Sequence, residues 1–220
     1  SKSSDNAIIE PMEDRKHALI STSISKDDGG KATILGEDLL DLEAVYKEAV
    51  YKDSLINFYK KEENVGFGEG HNILAKKDNA KYLLILNPDI KIIEPHTIKR
   101  LVDKIYQNLK IKIIGPQLKT EKDNIQTWDH GEFMPKWFLQ LVTNGYYKGS
   151  DKSHKVAWVS GAVFLIEKNI FDLVGGFDKN YFLYNEELDL CWRVRKLGWH
   201  VYYDTQVKVV HVGGVVARRS

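Results

Sequence analysis

The chain has a single cysteine, Cys191, so no internal disulfide can form, which suits a reducing compartment. It has no apolar run long enough to cross a bilayer, and no secretory signal is recognisable. Excess charge of one sign is missing too. Thirty-two basic and 31 acidic residues leave a formal net charge of +1, which gives no reason to expect nucleic acid or an acidic polymer as partner. No internal repeat and no low-complexity tract interrupts the 220 residues, a length that fits one domain with a real core. The first residue is Ser1 rather than Met, which fits a processed or trimmed chain.

What is there reads as strands alternating with helices, and so as an α/β fold with a mostly parallel sheet flanked by helices. Residues 1–16 form a polar tail. Ala18 to Ile24 reads as a strand, Lys26 to Gly30 as a turn, Glu37 to Tyr51 as a helix and Leu55 to Tyr59 as a short strand. The stretch Asn64-Val65-Gly66-Phe67-Gly68-Glu69-Gly70-His71-Asn72 follows. Its three glycines would let the backbone approach a phosphate at a helix start, or would simply make a flexible connection. The spacing does not fit the dinucleotide fingerprint.

Lys81 to Leu86 is an apolar strand of the buried type, ending at Asn87-Pro88-Asp89. Ligands of open α/β sheets bind at the carboxyl ends of strands, which makes Asp89 a candidate; ordinary turn chemistry would also explain it. Ile98, Leu101, Val102, Ile105 and Leu109 mark an amphipathic helix after Pro95. Ile111 to Ile114 is a strand closed by Gly115-Pro116, and Lys119 to Thr127 a polar, hairpin-like excursion. Trp128 to Tyr147 is rich in aromatics, which suits an aromatic-lined binding cleft or a second small core. Lys148 to Lys155 is polar and reads as a lid. His200 to Tyr203 and Val207 to Val210 are further strands, before His211-Val212-Gly213-Gly214.

The chain is organised around Trp158 to Arg193. A buried strand, Val156 to Ile166, is interrupted by Gly161. A short helix, Lys168 to Val174, stops at Gly175-Gly176, and a second runs from an Asn185 N-cap to Gly198. At 3.6 residues per turn, Leu190, Cys191 and Val194 form its apolar stripe, with Glu187 in line. Glu186, Asp189, Arg193 and Lys196 fall on the other side, and Asp189 and Arg193 have the spacing of a surface ion pair. All three acids suit a helix N-terminus. Glu187 alone points where the helix buries itself, so it needs a partner or a task.

These residues carry a resemblance. Trp158 to Gly161, Gly175-Gly176-Phe177-Asp178, the aromatic Tyr181 to Tyr184, Glu186-Glu187 and Asp189 to Arg193 come in the order found in family 2 glycosyltransferases with the GT-A fold. The pattern is similar to their rhamnosyltransferase-like branch. The match covers Asn64 to Gly214 well and the residues before it poorly.

The resemblance implies inverting, metal-assisted transfer of a sugar, with rhamnose as one candidate, from a nucleotide-diphosphate donor. The acceptor would be a glycan or a lipid-linked molecule in bacterial surface polysaccharide synthesis. It implies donor binding by Asn64, Gly66, Phe67, Gly70, Asn72, Asn87 and Asp89, and acceptor binding by Trp158, Ser160, Gly161 and Asp189. A divalent Mg²⁺ or Mn²⁺ would be held by Asp89 and His211, although His211 also suits a plain turn. Residues 17–115 would be the nucleotide-sugar half and 116–220 the acceptor and catalytic half of one domain. The family's base is the aspartate of a Glu-Asp pair, which makes Glu187 the proton acceptor here and Glu186 the alternative. The implied location is cytoplasmic, with the inner face of the cell membrane as one place for it and peripheral membrane association compatible. The nucleobase-reading aspartate has only Asp27 and Asp28 as candidates. Because the region before Asn64 is short, a non-catalytic nucleotide-sugar-binding or assembly module is the alternative.

Overall fold

The computed structural model describes residues 18–24, 31–36, 56–60, 65–77, 80–87, 89–126, 129–133, 152–182 and 184–212. The tail 1–16, the turn at Lys26 to Gly30, Asp27 and Asp28, the helix at Glu37 to Tyr51, Asn64 and most of the aromatic stretch lie outside these residues.

The β-strands are β1 (Ala18–Ile24), β2 (Lys31–Gly36), β3 (Ile56–Lys60), β4 (Tyr82–Leu86), β5 (Ile90–Lys91), β6 (Ile111–Lys119), β7 (His130–Gly131), β8 (His154–Val156), β9 (Trp158–Val159), β10 (Val163–Glu167) and β11 (His200–His211). The helices are α1 (Phe67–Ala75), α2 (Thr97–Gln107), α3 (Lys168–Leu173) and α4 (Glu186–Lys196). The main sheet has the order β3-β2-β1-β4-β10-β6-β11-β5, with β8 on β11; β7 and β9 pair separately.

The α/β class therefore holds, and strand sense is mainly parallel: β2, β3, β4, β6 and β11 run one way. Neighbour pairing is mixed. β2–β3 and β6–β11 are parallel, whereas β1 turns back on β2 as a hairpin and β10 inserts antiparallel between β4 and β6.

Alternation along the strands sorts the core onto two faces. Leu84, Leu86, Ile114, Leu165, Val207 and Val209 pack under Leu101 and Ile105 of α2. Leu83, Ile85, Ile113, Phe164, Ile166 and Val201 pack under Ala75 of α1, Ile170 and Phe171 of α3, and Leu190, Cys191 and Val194 of α4. Such two-sided burial explains why β4 and β10 read as continuous apolar runs. The α4 stripe is where the wheel puts it, and Cys191 is inert in it, its thiol pushed up to about 12 by burial.

Several sequence expectations need correction. Val156 to Ile166 is three strands, not one, because Ala157 bonds back to Gly131 and a turn at Gly161-Ala162 redirects the chain. β6 continues through Gly115-Pro116 to Lys119, since Val159 lies 2.7 Å from where a Gly115 Cβ would stand and fills that space. The last two strands are one, β11, with an irregularity between Asp204 and Lys208. Leu109 lies beyond α2 and is exposed, because Asn108 ends the helix in an extended conformation. The described end of the proposed lid, His154 and Lys155, is strand β8 on β11. Asn185 occupies the α4 N-cap position without a side-chain cap; it and Tyr184 are both left-handed, turning the chain sharply into the helix.

Candidate functional site

A run of contacts gathers the distant motifs at one end of the central strands, where β4 finishes and β10 begins. β4 ends at Leu86, and the Asn87 N–H donates to the Ala162 carbonyl at 2.8 Å. That bond joins the Asp89 turn to the Ser160-Gly161-Ala162 turn before β10. Val212 donates to the Asp89 carbonyl at 3.0 Å, which brings the end of β11 to the same place. Gly161 in turn lies against Glu187: a Cβ there would stand 3.5 Å from the Glu187 carboxyl carbon. Glu186 lies on the far side, near Gly68 of α1.

Asp89 and His211 meet side chain to side chain. His211 Nε2 is 3.2 Å from Asp89 Oδ2. His211 Nδ1 is 2.9 Å from Gln126 Oε1, and Gln126 Nε2 donates to the His211 carbonyl at 3.1 Å. The Gln126 oxygen can only accept, so Nδ1 carries the hydrogen and Nε2 is the ring nitrogen turned toward the carboxylate. Asp89 Oδ1 is buried and has no partner among the described residues. With its ring neutral, Nε2 offers a lone pair beside a carboxylate, a set that suits a divalent cation. Ligands about 2.1 Å from one ion and at right angles stand about 3 Å apart, which matches the observed separation.

The two glutamates occupy different surroundings. Burial raises the Glu187 carboxyl above its ordinary range, opposed by backbone N–H groups of Glu187 itself, Gly161 and Leu188. Glu187 Oε2 is buried and has no partner among the described residues. Glu186 is only 4% exposed, its Oε2 also lacks a partner among the described residues, and burial lifts its carboxyl to about 7, with the neighbouring Glu187 charge adding to the rise. This corrects the angular argument, which put Glu186 on the solvent face. The wheel considers one packing partner, the sheet, whereas the first turn of α4 is also covered by α1.

The other candidates have tasks within the protein. Asp189 is ion-paired with Arg193 at 2.6 Å, as its spacing predicts, and Arg193 also donates to the Val174 carbonyl at 2.6 Å. Ser160 Oγ accepts from the Ala162 N–H at 3.2 Å, and Trp158 lies across Gly131. Asn72 clamps α1 to the Gly-Gly-Phe-Asp turn: Oδ1 accepts from the Phe177 N–H at 2.8 Å, and Nδ2 donates to the Phe177 carbonyl at 2.9 Å. Gly66, at φ 76°, is the α1 N-cap, with the Phe182 carbonyl 2.7 Å from where a Cβ would be. Gly68 and Gly70 are buried inside α1, with Phe177 against Gly68, and Phe67 meets the Phe177 ring edge-on at 5.7 Å. The expected glycine cradle is thus a helix start approached by the protein's own aromatic residues. Tyr181, Phe182 and Tyr184 remain exposed beside it.

Sequence reasoning missed a second polar cluster, Asp129, His130, Glu132, His154 and Tyr203. The close spacing of Asp129, His130 and Glu132 was a signal, hidden by the aromatic character of that stretch.

A family model described as "Glycosyltransferase like family 2" matches residues 41–217. An N-acetylglucosaminyl-diphospho-decaprenol L-rhamnosyltransferase of Mycobacterium tuberculosis is 27% identical over 143 residues, 59% of this chain and 46% of its own length. Rhamnosyltransferase WbbL of Escherichia coli is 29% identical over 161 residues, 66% of this chain and 60% of its own. This chain therefore spans about half the length of the curated relatives it matches. Among solved structures, GalNAc-T7 with UDP, GalNAc and Mn²⁺ is similar with a TM-score of 0.63 at 15% identity, over 81% of this chain and 37% of that one. The mannosyltransferase PcManGT from Pyrobaculum calidifontis, in complex with GDP-Man and Mn²⁺, gives 0.59 at 12%, over 83% and 48%. The likeness to these two establishes a shared GT-A type of fold.

Proposed function

The chain belongs to glycosyltransferase-like family 2, and from that premise we propose that it transfers a sugar from a nucleoside-diphosphate donor to a glycan or lipid-linked acceptor. The observation that carries this reading is the Asp89–His211 pair with its orphaned carboxylate oxygen, joined through Asn87, Ala162 and Gly161 to Glu187. Asp89 and His211 would hold a divalent cation. Bound there, such an ion would neutralise the charge that develops on the departing diphosphate.

Glu187 takes the acceptor hydroxyl proton as that oxygen bonds to the anomeric carbon and the bond from this carbon to the phosphate oxygen breaks. One displacement of this kind inverts the anomeric centre. Glu187 suits the task because its carboxyl stands against the Gly161 backbone beside the Asp89 turn and its Oε2 has no partner among the described residues. Glu186 is the alternative acceptor of the proton. The exposed Tyr181, Phe182 and Tyr184 offer aromatic faces for a sugar or base. Residues 17–115 then serve the donor and 116–220 the acceptor and the chemistry. Rhamnose is the first sugar to test, on the names of the relatives. Work at the cytoplasmic face of a membrane follows from a lipid-linked acceptor; no described helix is long and apolar enough to cross the bilayer itself.

A second reading, a non-catalytic nucleotide-sugar-binding or assembly module that has lost part of its donor site, is favoured by one feature: Phe177 and Phe182 fill the space over Gly68 and Gly66 where a donor cradle would be. Thermal shift against a panel of nucleotide sugars, with and without Mn²⁺, followed by nucleoside-diphosphate release with acceptor, separates the two. Metal-dependent stabilisation with release supports transfer. Stabilisation without release under any donor and acceptor tried supports the binding module, and no stabilisation at all removes both.

A further inference from the structure

We propose that Glu132, His130 and His154 form a second divalent-metal site, of the zinc class, on elements other than those carrying Asp89. One ligand atom from each of the three lies within 4.8 Å of the other two. His130 Nε2 is 3.3 Å and His154 Nε2 2.9 Å from the same atom, Glu132 Oε1. Tetrahedral ligands about 2.0–2.1 Å from zinc stand about 3.3 Å apart, so the His130 edge has the required length and the His154 edge, at 2.9 Å, would open slightly around an ion.

The surroundings fix which ring nitrogens are available. His130 Nδ1 is 2.7 Å from Asp129 Oδ1. Asp129 is 2% exposed, and its other oxygen accepts from the Tyr203 hydroxyl and, at 3.4 Å, from the Leu118 N–H. Such a carboxylate acts as acceptor, so His130 Nδ1 carries the hydrogen. His154 Nδ1 is 2.7 Å from the Lys152 carbonyl, which also only accepts. Both rings are therefore held with hydrogen on Nδ1, and both Nε2 atoms converge on one carboxylate oxygen. The carboxylate–histidine contact at His130 is the outer-shell arrangement that orients metal-bound imidazoles. The Tyr203 ring, fully buried and stacked on His130 at 4.0 Å between centroids, fixes the ring plane.

Two nitrogens and one carboxylate oxygen are a borderline-soft set, which suits zinc or cobalt better than magnesium. Because Glu132 and His154 flank residues 133–153, the ion would tie together the two ends of that segment, on the acceptor half of the chain.

The test uses Co²⁺, whose visible absorption reports low-coordinate nitrogen and oxygen ligation, added to metal-stripped protein in an Asp89→Ala background. The expected result is one equivalent bound, with visible bands and a raised melting temperature. Glu132→Gln and His154→Asn, each with wild-type circular dichroism, should both lose that equivalent; His154 is partly exposed at the start of β8, so its replacement does not open the core. Asp129→Asn should weaken binding by about 10- to 100-fold. The proposal is overturned if Asp89→Ala alone abolishes uptake, if no equivalent binds, or if the Glu132 and His154 variants bind Co²⁺ as the parent does.

Discussion

Replacing Glu187 by glutamine isolates the proton-transfer step. The carboxyl lies beside Gly161, with 3.5 Å from its carbon to where a Cβ would be, and backbone N–H groups of Gly161 and Leu188 act on it. Glutamine keeps the shape and can still accept those hydrogen bonds through Oε1, so the ground state and the donor site should change little. What it cannot do is take a proton. A lost general base lowers rate by about 10²- to 10⁴-fold, equal to about 2.7–5.4 kcal/mol of barrier at 1.36 kcal/mol per decade. The assay is nucleoside-diphosphate release at saturating donor, with Mn²⁺–nucleotide affinity measured in parallel. Wild-type turnover should rise with pH through a value above the ordinary glutamate range, because burial holds the proton on and the base works only once it has left. That rise should vanish in Glu187→Gln. Glu186→Gln should cost far less, since Glu187 rather than Glu186 lies against the Gly161 turn, while the Glu186 Cβ stands 3.8 Å from where a Gly68 Cβ would be. If Glu186→Gln is the inactive variant and Glu187→Gln turns over normally, the base has been assigned to the wrong neighbour. If affinity falls as far as rate in Glu187→Gln, the residue holds the donor site together instead.

Asp89→Ala should abolish Mn²⁺-dependent stabilisation by a nucleoside diphosphate while leaving the urea midpoint nearly unchanged; His211→Ala should weaken the same response less, as a neutral ligand adds less than a carboxylate. Retained Mn²⁺ dependence in Asp89→Ala would remove the pair from the metal site. Gly66→Ala and Gly68→Ala should each destabilise by about 1–3 kcal/mol in urea unfolding, because a Cβ would meet the Phe182 carbonyl at 2.7 Å and the Phe177 Cβ at 2.9 Å. Loss of donor binding at unchanged stability would instead mark those glycines as a ligand cradle. Glu186 gives a pH prediction with a definite sign. Its folded value of about 7 lies above the ordinary 4.5, so the folded state holds a proton that the unfolded chain has released between those two values. Its contribution to stability is therefore full below about 4.5 and declines as pH rises toward 7. Glu186→Gln should gain on wild type between pH 5 and pH 8 in urea midpoints, and parallel midpoints at both pH values would contradict the buried-acid reading.

The two faces of the sheet were legible because periodicity records burial. Leu83 to Leu86 and Val163 to Ile166 are apolar at every position, and the Leu190-Cys191-Val194 stripe follows the helical period. Pairing was not legible. Nothing local in Val156 to Ile166 says that Trp158 and Val159 will leave β8 to pair with His130 and Gly131, since that choice is made by residues far away in the chain. The same limit explains Glu186. A helical wheel assigns angles correctly but cannot say how many neighbours stand around the helix, and the neighbour here, α1, comes from more than a hundred residues earlier.

Asn72 carries that reasoning furthest. In the sequence it is one polar residue in a glycine-rich stretch, suited to a phosphate. In the fold its amide makes two buried bonds to the Phe177 backbone, and its Oδ1 comes within 2.3 Å of where a Gly176 Cβ would stand. An exposed ligand-binding asparagine and a buried clamp predict the same residue beside the same glycines, so composition alone does not separate them; the partner's backbone does. The clamp fixes the Gly175-Gly176-Phe177-Asp178 turn against α1. From that turn the chain passes through Tyr181 and Phe182 into the left-handed Tyr184-Asn185 pair that aims Glu186 and Glu187. The motifs that run together in sequence are therefore coupled through Asn72, and its contribution to the site is to hold the two glutamates in place whether or not it touches a ligand.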